Sequence, residues 1–302
     1  MNESKDTNPD TVVGIKLEIG FSTQESYHQL YGNRKITEYL AELGFTVIET
    51  PIGLEIEREA LMEHVICCLN AGLKASLHAY SENTTSNPAF FSPEENNLCR
   101  LLHQRFLSLA AEVSCLQQSP TVVTIHPAAG GSEHSRRDLV DRSVSFFSWA
   151  HEWCCRNAPE VRLVAELQIS PNPEEPLQRI GDIYDELLEI VTRSHIQACW
   201  DFGHAYLNTQ RYGVQLYPPD GLLPRIGHVH CHDVRSDDHH PLVYNTVPWQ
   251  DFIKLLINSG FDGSIILEVP PSKFLDAGGI HSLTYSLKAL ENWIKQCKGD
   301  RE

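Results

Sequence analysis

The sequence predicts one (β/α)8 barrel of the TIM type. Eight short, β-branched apolar runs alternate with amphipathic stretches along the 302-residue chain, and no linker or shift of composition interrupts them. Alternation of this kind builds a parallel sheet with crossover helices, and eight repeats are enough to close it. The length is slightly above the ~250 residues usual for such a barrel.

The strands are expected at VVGIKLEIG (12–20), FTVIET (45–50), LKASLHAY (73–80), TVVTIHP (121–127), RLVAELQ (162–168), QACWDFGH (197–204), IGHVHCHD (226–233) and SIILEVP (264–270). Amphipathic stretches at 34–43, 57–71, 94–115, 135–157, 177–193, 249–259 and 280–297 supply the helices. Gly44, Gly72 and Gly260 each stand between a helix and the next strand, where a left-handed cap is expected. Only the connection after the sixth strand looks irregular, with Pro218-Pro219 and Gly221 where a full helix would stand. Residues 1–11 are expected to form a disordered leader, 12–297 the barrel and 298–302 a short charged tail.

Composition narrows the function. No apolar run approaches the roughly 20 residues of a membrane span, and MNESKDTNPD lacks the basic and apolar regions of a secretory signal, so a soluble, cytoplasmic protein is expected. Nine cysteines, an odd number without a C-x-x-C pair, lie mostly in apolar surroundings and point to reduced core thiols. The adjacent pairs Cys67-Cys68 and Cys154-Cys155 fall within expected helices. A formal charge of −16 with no Lys/Arg-rich stretch disfavours nucleic acid as a partner and favours a small, neutral or moderately polar substrate.

The chemistry lies at the strand ends. His78, His126, Glu166, Asp201, His204, His230, Asp237, His239 and Glu268 each close an apolar run or follow one within a few residues. In a closed parallel barrel the carboxyl ends of the strands and the βα loops build the functional face. A single histidine on an apolar strand is more often a hydrogen-bonded core residue than a ligand. Here, however, six strands deliver an acid or an imidazole at the same end, where buried charge is costly unless paired or bound to a metal. Mixed imidazole and carboxylate donors suit Zn²⁺, Mn²⁺, Fe²⁺ or Co²⁺ better than Mg²⁺. Asp201 and His204 are spaced to reach two neighbouring metals, and Asp237-Asp238-His239 offers a further acid and imidazole in a polar loop.

The surroundings leave alternatives. His228, His230 and His232 alternate and therefore share one face of the seventh strand. His228, nearest the strand start, is expected in the core, whereas His232 supports the site, contacts substrate or replaces His230 as a ligand. Asp233 would orient an imidazole or cap the loop that follows. Glu18 and Glu49 end the first two strands and would meet substrate hydroxyls or pair with nearby cations. Trp200 and Trp249 would line the pocket or simply pack, and Trp249 is taken with Glu49 and His232 as substrate-binding. His28, His64, His103, His134, His151, His195, His240 and His281 are expected on the surface.

The strings SLHAY, TIHP, VAEL, CWDFGH, HVHCHD, DDHHPL and ILEVP, in this order and from about residue 12 to 296, resemble the xylose isomerase-like barrel superfamily, which includes endonuclease IV. The resemblance implies a metal centre at the carboxyl-terminal mouth. In the sugar isomerase and epimerase branch it implies one metal held by Glu166, Asp201, His230 and Glu268, with the two glutamates exchanging a proton beside the carbonyl and His78 binding or opening the sugar. In the endonuclease IV branch it implies three zinc ions. His78, His126 and Glu166 would hold one, Glu166 would bridge to a second held by Asp201, His230 and Glu268, and His204, Asp237 and His239 would hold the third. The choice of His230 follows the family's H-x-x-D pattern, His230 to Asp233 here. Val243-Tyr244-Asn245 stands where relatives often carry G-x-G, and basic, wedge-like DNA-binding loops are not evident. Together with the charge, this favours a sugar or polyol isomerase or epimerase using one to three zinc or manganese ions. A trinuclear zinc phosphodiesterase acting on abasic DNA is the alternative, and an inactive barrel with a structural metal is a third.

Overall fold

The computed structural model describes residues 18–22 (backbone only), 36–79 and 84–299. The expected leader, positions 12–17 of the first strand, His28, Tyr80 and residues 300–302 of the tail lie outside them. Eight parallel strands close a barrel in the order β1 (Glu18–Ser22), β10 (Ser264–Leu267), β9 (Ile226–Cys231), β8 (Gln197–Asp201), β6 (Val161–Glu166), β4 (Thr121–Ile125), β3 (Lys74–Ala79) and β2 (Val47–Ile52). β2 pairs with β1 and completes the circle. The remaining strands, β5 (Ala129–Gly131) and β7 (Leu177–Arg179), form an antiparallel ribbon.

Around the barrel run α1 (helical over 36–43), α2 (Arg58–Asn70), α3 (Leu98–Gln117), α4 (Arg136–Asn157), α5 (Tyr184–Ser194), α6 (Phe202–Tyr212), α7 (Trp249–Asn258), α8 (Pro271–Asp276) and α9 (Ile280–Gly299). Among the described residues no helix is long and apolar enough to cross a membrane. Gly44, Gly72 and Gly260 have φ of 108°, 81° and 83°, the left-handed caps expected of them. All nine cysteines are free; six are buried, whereas Cys67 is half-buried and Cys115 and Cys155 are exposed. Each adjacent cysteine pair thus puts one thiol into the core and leaves its neighbour outside it.

Two of the differences from the expected boundaries bear on the mouth of the barrel. The sixth strand ends at Asp201, not at residue 204, because the Asp201 carboxylate accepts the His204 amide at 2.7 Å and starts a helix. A full helix, α6, therefore follows at once, before Pro218-Pro219. The stretch 177–193 begins as strand β7, and its helix starts only at Tyr184.

Strand register explains why the scattered polar residues meet. Neighbours in a parallel ladder point to the same face, and side chains alternate along each strand. The pairs Glu49 with Ser76, His78 with Thr124, Thr124 with Val164, Glu166 with Cys199, Asp201 with His230, and His230 with Ile266 put all of these residues on one face. Two residues further along the same strands come His126 and Glu268. Trp200, between Cys199 and Asp201, faces outward, where its indole donates to the Tyr184 hydroxyl at 2.9 Å and its ring packs on Phe252.

The outer layer buries histidines that polarity alone assigns to the surface. His64 is hydrogen-bonded to Thr50 at 2.8 Å, His240 contacts Asp237 at 2.7 Å, and His103 sits edge-on against Phe146 with ring centroids 4.6 Å apart. The His103 Nδ1–H donates to the Cys99 carbonyl at 2.9 Å. Burial lowers its pKa from 6.5 to about 4.

The loop after β9 is folded around one side chain. The buried Asp233 carboxylate accepts backbone N–H groups from Val234 (2.9 Å), Tyr244 (3.1 Å), Thr246 (3.0 Å) and Val247 (3.0 Å). Asp233 also exchanges backbone hydrogen bonds with His240 at 2.7 and 2.9 Å. This arrangement supports the segment that carries Asp238 and His239.

Two outcomes are expected. Native His103 stays neutral down to about pH 4, whereas the unfolded chain protonates it below about pH 6.5, so the unfolded state binds more protons in that window. Its contribution is complete above pH 6.5 and is lost as pH falls toward 4, with a slope approaching about 1.4 kcal/mol per pH unit. His103→Leu should lack that slope, so the stability difference between the two proteins in urea denaturation should change with pH between about 6.5 and 4; identical pH profiles would refute it. Asp233→Ala leaves buried amides unpaired and should cost about 3 kcal/mol or more by the same measurement; a loss below about 1 kcal/mol would show that the carboxylate does not hold the loop.

Candidate metal centre

Glu49 lies on the barrel face formed by the register, fully buried. Its Oε2 accepts from Ser76 Oγ and Thr124 Oγ1, each at 3.4 Å, and from the His228 ring at 2.7 Å. Its Oε1 is 2.7 Å from His230 Nε2. Burial pushes the Glu49 carboxyl up, but His230 and His228 outweigh it and hold the group well below the usual carboxylate range.

With Nε2 turned to Glu49, His230 turns Nδ1 toward the acids: Glu268 at 2.9 Å, Glu166 at 3.5 Å and Asp201 at 3.8 Å. Ligand atoms of Glu166, Asp201, His230 and Glu268 all lie within 4.8 Å of one another, and so do those of His78, His126 and Glu166. His78 Nε2 is 3.3 Å and His126 Nε2 3.2 Å from Glu166 Oε2. Glu166 therefore joins the two groups.

A third group contains Asp201, His204, His232 and His239. Its members are fixed by neighbours. His204 Nδ1–H donates to the Leu167 carbonyl at 3.0 Å, leaving Nε2 bare. His232 Nδ1 accepts the His239 amide at 2.9 Å, and its Nε2 lies 3.0 Å from Asp201. His239, at φ 58°, stacks on His232 with centroids 4.3 Å apart. The approach of His232 to α6 requires Gly203, since a Cβ there would lie 1.9 Å from the His232 ring.

Eight of the nine expected ligands are thus gathered. Asp237 is not: its carboxylate is 54% exposed, contacts His240 at 2.7 Å and pairs with Lys273. Its neighbour Asp238 instead lies 3.1 Å from His239 Nδ1, on the wall of the cavity above the cluster. The chain turn at His239 exchanges the two acids, which adjacent positions in sequence do not distinguish. The three side chains expected at the substrate are also elsewhere. Glu49 and His232 are fully buried behind the acids, and Trp249 lies in the apolar packing around α7; none is on the cavity wall.

The electrostatics follow from burial set against pairing. Burial raises the carboxyls of Glu166, Asp201 and Glu268, yet facing imidazoles overcome it and hold all three below their ordinary values. Burial lowers His78 and His204 despite their acidic neighbours. For His126, His230 and His239 burial acts the same way but the surrounding acids win and raise them.

The donor set fits a divalent cation. Glu166 Oε2, Glu268 Oε2 and His230 Nδ1 are buried without an aligned hydrogen bond among the described residues. Buried polar atoms are ordinarily paired. Here they crowd one another at about ion-pair distance without aligning, the arrangement expected of donors directed at a shared central point. Above them opens a cavity of about 590 Å³, whose wall includes His78, His126, Glu166, Gln168, Arg179 and Glu268.

Comparison with known proteins agrees with this architecture. No curated protein sequence matches the chain. Solved structures that resemble it include an IolI protein with a bound zinc atom (15% identity, TM-score 0.65, 93% of this chain and 99% of that one). D-psicose 3-epimerase with D-tagatose from Clostridium cellulolyticum H10 matches at 14% identity and TM-score 0.64, with the same coverage. An AP endonuclease, family 2, from Brucella melitensis matches at 14% identity and TM-score 0.57, over 84% of this chain and 92% of that one. At such identities the likeness concerns the fold. The family model for the xylose isomerase-like TIM barrel, however, matches residues 37–297, and the chain belongs to that family.

Proposed function

We propose that this protein is a metal-dependent isomerase or epimerase of a sugar or polyol derivative. The observation that carries the reading is the pair of buried, ionised glutamates, Glu166 and Glu268, on the wall of one cavity of small-molecule size. Glu166, Asp201, His230 and Glu268 would hold a divalent ion, zinc or manganese. That ion would polarise the sugar carbonyl and offset the charge its oxygen gains when the adjacent carbon gives up a proton.

The chain's own groups do the rest. One glutamate takes the proton from the carbon beside the carbonyl, and the same carboxylate or its partner returns it to the neighbouring carbon or to the opposite face. Their depressed pKa keeps both deprotonated at neutral pH, the form in which a carboxylate acts as a base. His78, next to Glu166, is placed to hydrogen-bond a sugar oxygen. Glu49 keeps the His230 ring oriented from behind. Two structural relatives, a D-psicose 3-epimerase with D-tagatose and an IolI protein with a bound zinc atom, are consistent with this chemistry.

A second reading has an observation of its own: the three adjoining donor groups would also serve a trinuclear phosphodiesterase on abasic DNA. Against it stand the −16 charge and a cavity wall on which, among the described residues, Arg179 is the one Lys or Arg.

Metal analysis with paired assays separates the two. One or two equivalents of manganese or zinc, with solvent deuterium entering a ketose, supports the isomerase; three zinc ions with nicking of an abasic duplex overturns it. Glu268→Gln should lower deuterium incorporation by about 10² or more, and retained exchange would remove Glu268 from the proton path. Chelation should abolish exchange and lower the melting temperature, since a ligand bound only to the folded state stabilises it; an unchanged melting curve would count against a bound ion.

A further inference from the structure

We infer that the substrate carries an anionic group, carboxylate or phosphate, at the end remote from Glu166 and Glu268, and that Arg179 binds it. The inference deepens the proposed sugar chemistry and relies on it only for which end of the molecule meets the glutamates.

Arg179 ends β7, in the ribbon formed by loops that leave β4 and β6. Its backbone is fixed from several sides. It pairs with Ala129, its carbonyl accepts from Arg136 at 3.4 Å, and the next residue, Ile180, donates to the Ala128 carbonyl at 2.9 Å and accepts from Gln168 Nε2 at 2.8 Å. Arg136 is tied in turn to Asp182 and Glu186. This position is rigid compared with an ordinary surface loop.

The side chain, by contrast, is lightly engaged. It is 29% exposed; among the described residues Nη1 donates to the Ile169 carbonyl at 3.3 Å, and the nearest carboxylate, Glu175, is 3.9 Å away. A guanidinium has five N–H donors in a planar fork that matches a carboxylate or phosphate. Arg179 lines both the main cavity and a smaller one of about 170 Å³, which also share His126 and Gln168. It therefore stands where the two cavities meet.

The charge distribution gives this placement its meaning. An acidic chain does not attract anions over its surface at large. Among the described residues Arg179 is the one Lys or Arg on the main cavity wall, set among carboxylates, imidazoles and the apolar Ile52 and Ile169, and a forked cation at the junction of two cavities selects a substrate with one charged end. Gln168 commits its amide nitrogen to the Pro127 and Ile180 carbonyls, which leaves its carbonyl oxygen to accept from a hydroxyl between the two ends.

Binding to the purified, metal-loaded protein tests the inference. D-ribulose 5-phosphate is compared with D-ribulose, and D-gluconate with xylitol, by calorimetry at constant ionic strength. At least one anion should bind about tenfold or more tighter than its neutral counterpart; which pair shows the gap identifies phosphate or carboxylate. The gap should close in Arg179→Met, persist in part in Arg179→Lys, and shrink for the unaltered protein as salt rises. Equal binding of the anionic and neutral members of both pairs overturns the inference, as does a gap that survives in a folded Arg179→Met or one indifferent to salt. Deuterium exchange into D-ribulose and D-ribulose 5-phosphate by the unaltered protein reports the proposed function separately. A charge-dependent gap without exchange would sustain the anion site and refute the isomerase; exchange without a gap would do the reverse.

Discussion

The contact between Glu49 and His230 is the constraint on which the mouth of the barrel depends. A carboxylate removed from water is tolerable only with compensation, and Ser76, Thr124 and His228 supply it to one oxygen. The other oxygen faces His230, so the ring has one nitrogen engaged below and one directed above. The upper nitrogen meets Glu166, Asp201 and Glu268, which strand register brings to the same face. Metal-binding imidazoles are commonly fixed in this way by an acid behind them.

Above that layer the structure divides its work among loops. Asp201 caps α6 while facing the cluster, so the start of a helix and the position of a charge are decided by one side chain. Asp233 does for the β9 loop what Asp201 does for α6, using a buried acid to satisfy amides that no regular element pairs. Most of the acids of the centre are balanced by imidazoles rather than by Lys or Arg. The charge balance of this region is consequently sensitive to pH in a way that ordinary ion pairs are not.

Much of this was legible in the sequence. The period-two alternation of strands such as HVHCH fixes which residues share a face, and the closing acid or histidine of six strands marks the functional end. What remained hidden depends on local backbone geometry. QACWDFGH continues an apolar strand in composition, yet a capping aspartate turns its second half into helix. Asp237 and Asp238 are interchangeable on paper, and only the left-handed turn at His239 decides which faces the cavity. His64 and His103 fall at helical spacing on the apolar faces of α2 and α3, between Leu61 and Cys68 and between Cys99 and Phe106, a signal that their polarity outweighed, whereas the loop residue His240 has no such spacing to mark it. The ribbon of β5 and β7 leaves no pattern, because three residues a side are too few for one.

That ribbon links two loops that are separate in the chain. Because Ala129 pairs with Arg179 and Gly131 with Leu177, an insertion in one loop slips the register and carries Arg179 off the cavity wall unless the other loop compensates. A change of length within either paired run therefore moves Arg179 unless the opposite run changes with it. Among relatives of this chain, paired insertions there would mark a shift in the size of ligand accepted, made without altering the face formed by the strand ends.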